Sequence, residues 1–158
     1  MADIINDGMT KVSYVPTISS TAGPTVAELN AGTALESFLL QDGFSHDSSN
    51  ESVETTALSS TYDTALPGRR TLETSLTMKF QGDASAPFST LAGNPDGYLV
   101  VRRFVAATTA WAAGQTVEVY TVQYGDRKRL PAAANEVLKF SVDVAHTAPP
   151  VEAATVAS

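Results

Sequence analysis

The two histidines, His46 and His146, are the residues best suited to acid–base chemistry or metal binding. His46 lies in a polar segment, and His146 lies at the end of a predicted strand. Neither belongs to an H-x-x-x-H or H-x-H pattern, so any metal pair would have to be assembled by folding. We interpret both as solvated or structural histidines and predict no metal or cofactor.

Other catalytic patterns are also missing from the sequence. It contains no G-x-S-x-G motif and no glycine-rich phosphate loop of either common spacing. Cysteine is absent, which excludes disulfides, thiolate metal sites and cysteine nucleophiles. The carboxylates Glu51 and Glu54 could share one face of an exposed arm, where such pairs usually increase solubility. We therefore predict that the chain is not an enzyme.

A short basic cluster, Asp126-Arg127-Lys128-Arg129, lies in a predicted loop between two strands. No aromatic residues alternate with its cations, as they do in many nucleic-acid-binding patches. The whole chain carries 10 Lys and Arg against 17 Asp and Glu, a formal net charge of −7, which opposes general binding to phosphate backbones. We predict a solvated turn, or interface charges at Arg127, Lys128 and Arg129.

Two segments alternate between apolar and polar residues, which is typical of strands with one buried face. Leu72, Leu76, Met78 and Phe80 alternate with Glu73, Ser75, Thr77 and Lys79. The same pattern returns where Leu138, Phe140, Val142 and Val144 alternate with Lys139, Ser141 and Asp143. Parallel strands buried on both faces read instead as continuous apolar runs. The pattern therefore predicts a mainly β, antiparallel architecture with one polar sheet face.

The remaining elements follow from turn and cap signals. The predicted strands are Thr10–Ile18, Leu35–Phe44, Arg69–Gln81, Tyr98–Val105, Gln115–Tyr124 and Glu136–His146. Asp42-Gly43 is expected to form a turn or bulge. Pro24 and Gly32 bracket one or two helical turns, and residues 84–94 are predicted as the main short helix. Trp111 is expected to fill the core in preference to anchoring an interface.

The segment 45–67 is polar but rich in β-forming Thr and Val, so we predict an extended hairpin arm or flexible loop. Residues 1–146 are expected to form one domain, followed by a flexible Pro/Ala-rich tail at 147–158. The first eight residues include acids where a signal peptide has a basic segment, and no apolar run approaches about 20 residues. We expect a soluble protein made inside a cell.

Four segments, in this order and spacing, resemble the major tail tube proteins of long-tailed bacteriophages, especially those infecting actinobacteria. The segments are T-V-A-E-L-N-A-G-T (Thr25–Thr33), L-P-G-R-R-T-L-E-T-S-L-T-M-K-F (Leu66–Phe80), Ala86–Phe104 and L-P-A-A-A-N-E-V-L-K-F-S-V-D-V-A (Leu130–Ala145). The resemblance implies a β-sandwich or barrel-like subunit with a flanking helix. It also implies hexameric rings that stack into a tube, with a lumen through which DNA leaves the capsid.

Under this resemblance, two sets of residues become site candidates. The lumen-facing acids would be Glu73, Glu118 and Asp143, because an acidic lumen does not retain DNA. The arm would reach the neighbouring ring through Ser48, Asn50, Glu51, Glu54, Tyr62 and Asp63. The implied partners are identical subunits, the tape measure protein, the tail terminator and baseplate or tail-tip proteins. Double-stranded DNA would pass without specific binding, no membrane is involved, and virions would be assembled in the host cytoplasm.

Three alternatives remain from the residues alone. A virion decoration or spike module would also be acidic and β-rich, but it would bind a capsid or host surface without polymerising. A secreted carbohydrate-binding sandwich would need exposed aromatic residues, for which Trp111, Tyr120 and Tyr124 are the candidates. An enzyme of an unrecognised type is the third alternative.

Overall fold

A computed structural model describes all residues, 1–158, as eight antiparallel strands and one short helix. The elements in chain order are β1 (Thr10–Val15), α1 (Val26–Asn30), β2 (Thr33–Ala34), β3 (Leu39–Glu54), β4 (Ala65–Lys79), β5 (Asp96–Arg103), β6 (Thr116–Arg129), β7 (Lys139–His146) and β8 (Val151–Thr155). The strand order is β2-β1-β5-β6-β7-β4-β3, and β8 also pairs with β6. The predicted mainly β, antiparallel fold with one short helix is confirmed.

The main core lies against one face of the curved sheet and collects side chains from β1, β4, β5, β6 and β7. Leu76 and Met78 of β4 are fully buried there, as are Phe140 and Val142 of β7. Their polar neighbours in sequence point to the opposite face, so the predicted alternation is confirmed in both strands. Because side chains from distant strands meet in one cluster, the sheet bends around this core without closing into a barrel.

A second, smaller core covers the opposite face of β1, β5 and the first half of β6. Leu29 of α1 and Trp111 pack into it and are 1% and 6% exposed, so the predicted core position of Trp111 is confirmed. Helix α1 begins with a capping box, in which Thr25 and Glu28 exchange side-chain to backbone hydrogen bonds of 2.9 and 3.3 Å.

The C-terminal segment is ordered, and the prediction of a flexible tail at 147–158 is wrong. Val151–Thr155 forms β8 beside the first half of β6, in line with β7 along the same edge. Ala154 and Val156 are 1% and 2% exposed in the second core. Composition suggested a flexible tail, but these two small apolar side chains pack into a core that distant strands provide. Their burial outweighs the weak local preference.

The predicted helix at 84–94 is a series of turns. Only separate helical bonds form there, from the Ser89 N–H to the Ser85 carbonyl and from the Leu91 N–H to the Pro87 carbonyl. Pro87 disfavours the helical conformation at Ala86, which prevents continuous propagation. The segment nevertheless buries Phe88 and Leu91 in the main core, so its apolar spacing reflected burial and not a helix.

The predicted basic loop after Tyr124 is also wrong, because β6 continues to Arg129. A register shift between Tyr124 and Arg127 admits the extra residues, after which Arg127 to Arg129 pair with β7. The predicted irregularity at Asp42-Gly43 is confirmed by a register shift between Leu39 and Phe44. Beyond that shift, β3 runs on through the polar segment to Glu54.

Candidate functional site: assembly surfaces

The most prominent surface feature is the arm, which we define as the hairpin of residues 47–71. Its β3 and β4 strands pair from Asp47 opposite Glu73 to Glu54 opposite Ala65, with one register shift between Asn50 and Ser52. Residues 47–71 are exposed apart from Thr56 and Gly68, which are half-buried. Apart from an ion pair between Arg70 and Glu152 at its root, the arm does not pack against the body of its own subunit. At about 3.3 Å per residue, its paired strands project roughly 25 Å.

The tip of the arm, residues 53–66, is held closed by threonines. The Thr55 amide donates to the Thr64 carbonyl at 2.9 Å, and the Thr64 amide donates to the Thr56 hydroxyl at 2.9 Å. Four large apolar side chains are exposed on this tip: Val53 at 51%, Leu58 at 106%, Tyr62 at 77% and Leu66 at 60%. Exposed apolar groups concentrated on a projecting hairpin mark an interaction surface.

The structure locates all six predicted arm candidates on this hairpin: Ser48, Asn50, Glu51, Glu54, Tyr62 and Asp63. Only Tyr62 among them belongs to the apolar tip. Sequence reasoning overlooked Leu58 and Leu66, although a large aliphatic residue within a polar, β-forming segment was the available signal. Ser48 has an internal role, since it accepts a 2.9 Å hydrogen bond from Nε of Arg70.

The second surface is the polar face, formed by the outward side chains of β3, β4 and β7. Asp47 lies opposite Glu73, and Ser75 lies opposite Asp143, so these residues share the face. They line an open cleft of about 440 Å³. Asp143 accepts a 2.7 Å bond from Lys128, which lowers the pKa of the Asp143 carboxyl, whereas Asp47 and Glu73 form no ion pair.

Glu118 is not part of the polar face. It lies opposite Val101, whose side chain is in the main core, and therefore faces the inner side of the sheet. Its carboxylate accepts bonds from Nε of Arg103 at 3.1 Å and from the hydroxyl of Tyr120 at 3.0 Å. Of the three predicted lumen acids, the structure brings together Glu73 and Asp143 and separates Glu118, which sequence alternation alone could not detect.

The three basic residues of β6 have partners within the subunit. Arg127 donates to the Phe88 carbonyl and stacks on that ring, with 4.0 Å from the guanidinium carbon to the ring centroid. Arg129 binds Asp83 at 2.5 Å, and Lys128 binds Asp143. These contacts attach the turns at 82–93 to the sheet. The suggestion that the same residues form charge pairs between subunits stays a prediction.

The third surface consists of unpaired strand edges. β3 is the last strand of the sheet, and all its ladder bonds go to β4. Residues 127–129 of β6 pair only with β7, because β5 pairs with residues 118–123. Exposed edges present unsatisfied N–H and C=O groups that can bind another strand. The edge of β3 and the β6 edge at residues 127–129 are therefore open to a neighbouring chain.

Other functional sites find little support in the geometry. No group of three or more His, Cys, Asp or Glu residues is arranged to hold a metal ion. Trp111, Tyr120 and Tyr124 are 6%, 2% and 0% exposed, so they cannot form a surface on which sugars stack. The carbohydrate-binding alternative based on those aromatics is therefore wrong. None of the helical structure has the length and hydrophobicity needed to span a bilayer.

Comparison with known proteins decides the family. The family model described as "Phage tail tube protein" matches residues 1–158, the whole chain. This chain belongs to the phage tail tube protein family. The resemblance found in the sequence is thereby confirmed at the level of the family. Tail tube proteins are structural components of phage tails, so the protein is a structural tail protein and not an enzyme.

The fold of this tail tube protein also occurs in a prophage baseplate structure. A chain in the structure titled "Cryo-EM structure of the anti-feeding prophage (AFP) baseplate, 6-fold symmetrised" aligns with a TM-score of 0.60. The two chains share 9% sequence identity, and the alignment covers 96% of this chain and 97% of that one. Identity this low supports a shared fold only. No curated protein sequence matches this tail tube protein.

Proposed function

We propose that six copies of this protein form a ring and that the rings stack into the tail tube through which the phage genome is ejected. The observation that carries this proposal is the pair of open sheet edges in a chain of the tail tube family. The baseplate structure with the similar fold is described as 6-fold symmetrised, which favours six copies over other ring sizes.

Within a ring, the outer edge of β3 in one copy pairs with the β6 edge at residues 127–129 in the next. This contact is heterologous, so repeating it closes a ring when the rotation per copy divides a full turn. It satisfies the backbone groups that a single subunit leaves unpaired. The sheets then join side by side, and the polar face formed by β3, β4 and β7 becomes the lining of the lumen.

Between rings, the arm contacts the adjacent ring and buries its apolar tip there. Double-stranded DNA passes through the lumen without specific binding. The tape measure protein occupies the lumen before ejection, and the tail terminator and baseplate or tail-tip proteins contact the two ends of the tube. Assembly takes place in the cytoplasm of the host. Membership of the tail tube family and the surfaces described above support these roles.

Electron microscopy of the purified protein tests the proposal. We expect uniform hollow tubes or rings at high protein concentration, with six-fold symmetry in end-on class averages. Particles that remain single subunits at every concentration would contradict it and would favour the decoration or spike module. That second candidate is consistent with the exposed arm, which is suited to binding a capsid or host surface.

The lumen assignment predicts a change in DNA retention. In assembled tubes, Asp47→Lys with Glu73→Lys reverses two charges of the polar face that form no ion pair within the subunit. We expect these tubes to retain linear duplex DNA at low salt, with retention that falls steeply as salt rises, because new phosphate contacts release counterions. Wild-type tubes should retain little DNA. Sedimentation of tubes with labelled duplex measures the effect.

A covalently closed circular duplex provides the topological control, since it reaches an outer surface but cannot thread a narrow lumen. Retention of linear DNA and not of circles supports the assignment, and equal retention of both indicates that the polar face is external. Asp3→Lys with Asp7→Lys is the matched variant, because it makes the same charge change in the exposed N-terminal segment.

A further inference from the structure

Two histidines and one hydroxyl form a hydrogen-bonded chain where the arm joins the body of the subunit. His46 of β3 and His146 of β7 lie on either side of Thr74 of β4. The Thr74 hydroxyl oxygen is 2.8 Å from Nδ1 of His46 and 2.7 Å from Nε2 of His146. The ring centroids are 5.8 Å apart. Folding thus brings together residues that are 100 positions apart in the sequence.

The geometry of this hydrogen-bonded series favours the neutral form of both imidazole rings. A single hydroxyl donates one hydrogen bond, so with both rings neutral it can donate to one ring nitrogen and accept from the other. Nδ1 of His146 is buried and has no hydrogen-bond partner. Protonating His146 makes both of its nitrogens donors and leaves a buried, charged N–H without an acceptor, which is costly.

The surrounding charges offer little compensation. Arg103 of β5 and Glu118 of β6 form one ion pair at 3.1 Å, and Arg70 of β4 and Glu152 of β8 form another at 2.5 Å. Tyr120 of β6 lies against both rings, with centroid separations of 4.9 and 5.5 Å, and donates its hydroxyl to Glu118. Glu118 and Glu152 each already pair with an arginine. Protonating both histidines would therefore add two positive charges to a group whose charges are balanced.

Burial lowers the pKa of His46 below its ordinary value, with Arg103 and Arg70 acting in the same direction and Glu118 and Glu152 opposing them. Burial also lowers the pKa of His146, and His46 adds to that effect. The unfolded chain therefore binds more protons than the folded one as the pH falls below about 6.5. The stability contributed by the neutral pair is complete above that pH and is lost as the pH falls through the lowered values.

We propose that the chain of His46, Thr74 and His146 is a proton-sensitive joint, which holds the root of the arm to β7 at neutral pH and releases it in mild acid. Protonation of both rings breaks the shared arrangement at Thr74 and loosens the root of β3 and β4 against β7. The joint belongs to the isolated subunit and does not depend on tube formation. It makes the orientation of the arm a function of pH.

Amide hydrogen exchange of the subunit at pH 7.5 and pH 5.0, corrected for intrinsic rates, tests the joint. We expect protection at residues 44–48 and 72–76 to fall in acid, by about tenfold for each unit by which a histidine pKa is lowered. His46→Asn with His146→Gln keeps polar atoms near Nδ1 and Nε2 but cannot titrate. This variant should show the same protection at both pH values. An equal loss of protection in the variant, or none in the wild type, would overturn the proposal.

Imidazole resonances supply a second measurement that does not require a variant to fold. The chain has only 2 histidines, so both titrations can be followed in the wild-type subunit by nuclear magnetic resonance. Two coupled titrations with midpoints below 6.5 support the joint. If either ring titrates independently with an ordinary midpoint, the joint does not exist.

Discussion

Replacing residues 53–66 by an Asn-Gly turn is expected to give a folded subunit that does not form tubes. The deletion joins Ser52 to Pro67, which already lie opposite each other in the hairpin, and Asn-Gly favours the two-residue turn that links such positions. The removed residues are exposed or, for Thr56, half-buried, so the core is unchanged. The four apolar side chains of the tip are lost, and with them the proposed contact between rings. Circular dichroism and electron microscopy measure the two outcomes.

A milder variant separates the apolar contact from the length of the arm. Leu58→Ser with Tyr62→Ser keeps the backbone of the tip. If assembly half-buries these two side chains, their loss costs about 2 kcal/mol per subunit and raises the concentration needed for assembly by roughly thirtyfold. Val137→Ser with Leu138→Ser is the matched control, because these exposed residues, at 56% and 54%, lie between β6 and β7. Tubes that form normally from the shortened protein would show that the arm does not stack the rings.

Arg102→Met is expected to lower the free energy of unfolding by about 3 kcal/mol or more, because it removes a buried cation whose partners stay behind. Arg102 is fully buried. Its guanidinium donates to the carbonyls of Ala106, Thr109 and Ala110 at 2.8 to 3.2 Å and to Oε1 of Gln115 at 2.9 Å. It also lies 4.9 Å from the centroid of the Trp111 ring.

The adjacent arginine provides the control for this prediction. Arg103 forms an ion pair with Glu118, and its side chain is 34% exposed, so Arg103→Met is expected to cost less than about 1 kcal/mol at pH 7.5. Chemical denaturation of both variants gives the comparison. If the two substitutions cost the same, the bonds from Arg102 to the 106–115 segment contribute little to stability. In that case, the packing of Trp111 against its apolar neighbours would be the main interaction that holds the segment in place.

The candidate surfaces were partly visible in the sequence. The arm was predicted from a polar stretch rich in β-formers, and the structure confirms a hairpin there. The polar face was predicted from the alternation in β4 and β7, which places Glu73 and Asp143 correctly on one side. Glu118 was misassigned because alternation gives the two faces of a strand but not which face meets the core. No local sequence pattern indicated that His46 and His146 lie close together, because their proximity depends on how β3, β4 and β7 pair.

The sequence by itself determined the class of fold, the inward faces of the strongest strands, the short helix between Pro24 and Gly32 and the family. The strands and the helix follow from the periodicity of apolar residues and from turn and cap signals, which act over a few neighbouring residues. The family follows from the order and spacing of four segments along the chain. Only the tertiary structure decided that the C-terminal tail is a strand, that residues 84–94 are turns and that Arg102 is buried among carbonyls. Each of these depends on surfaces supplied by distant parts of the chain, and burial against such surfaces outweighs local preference.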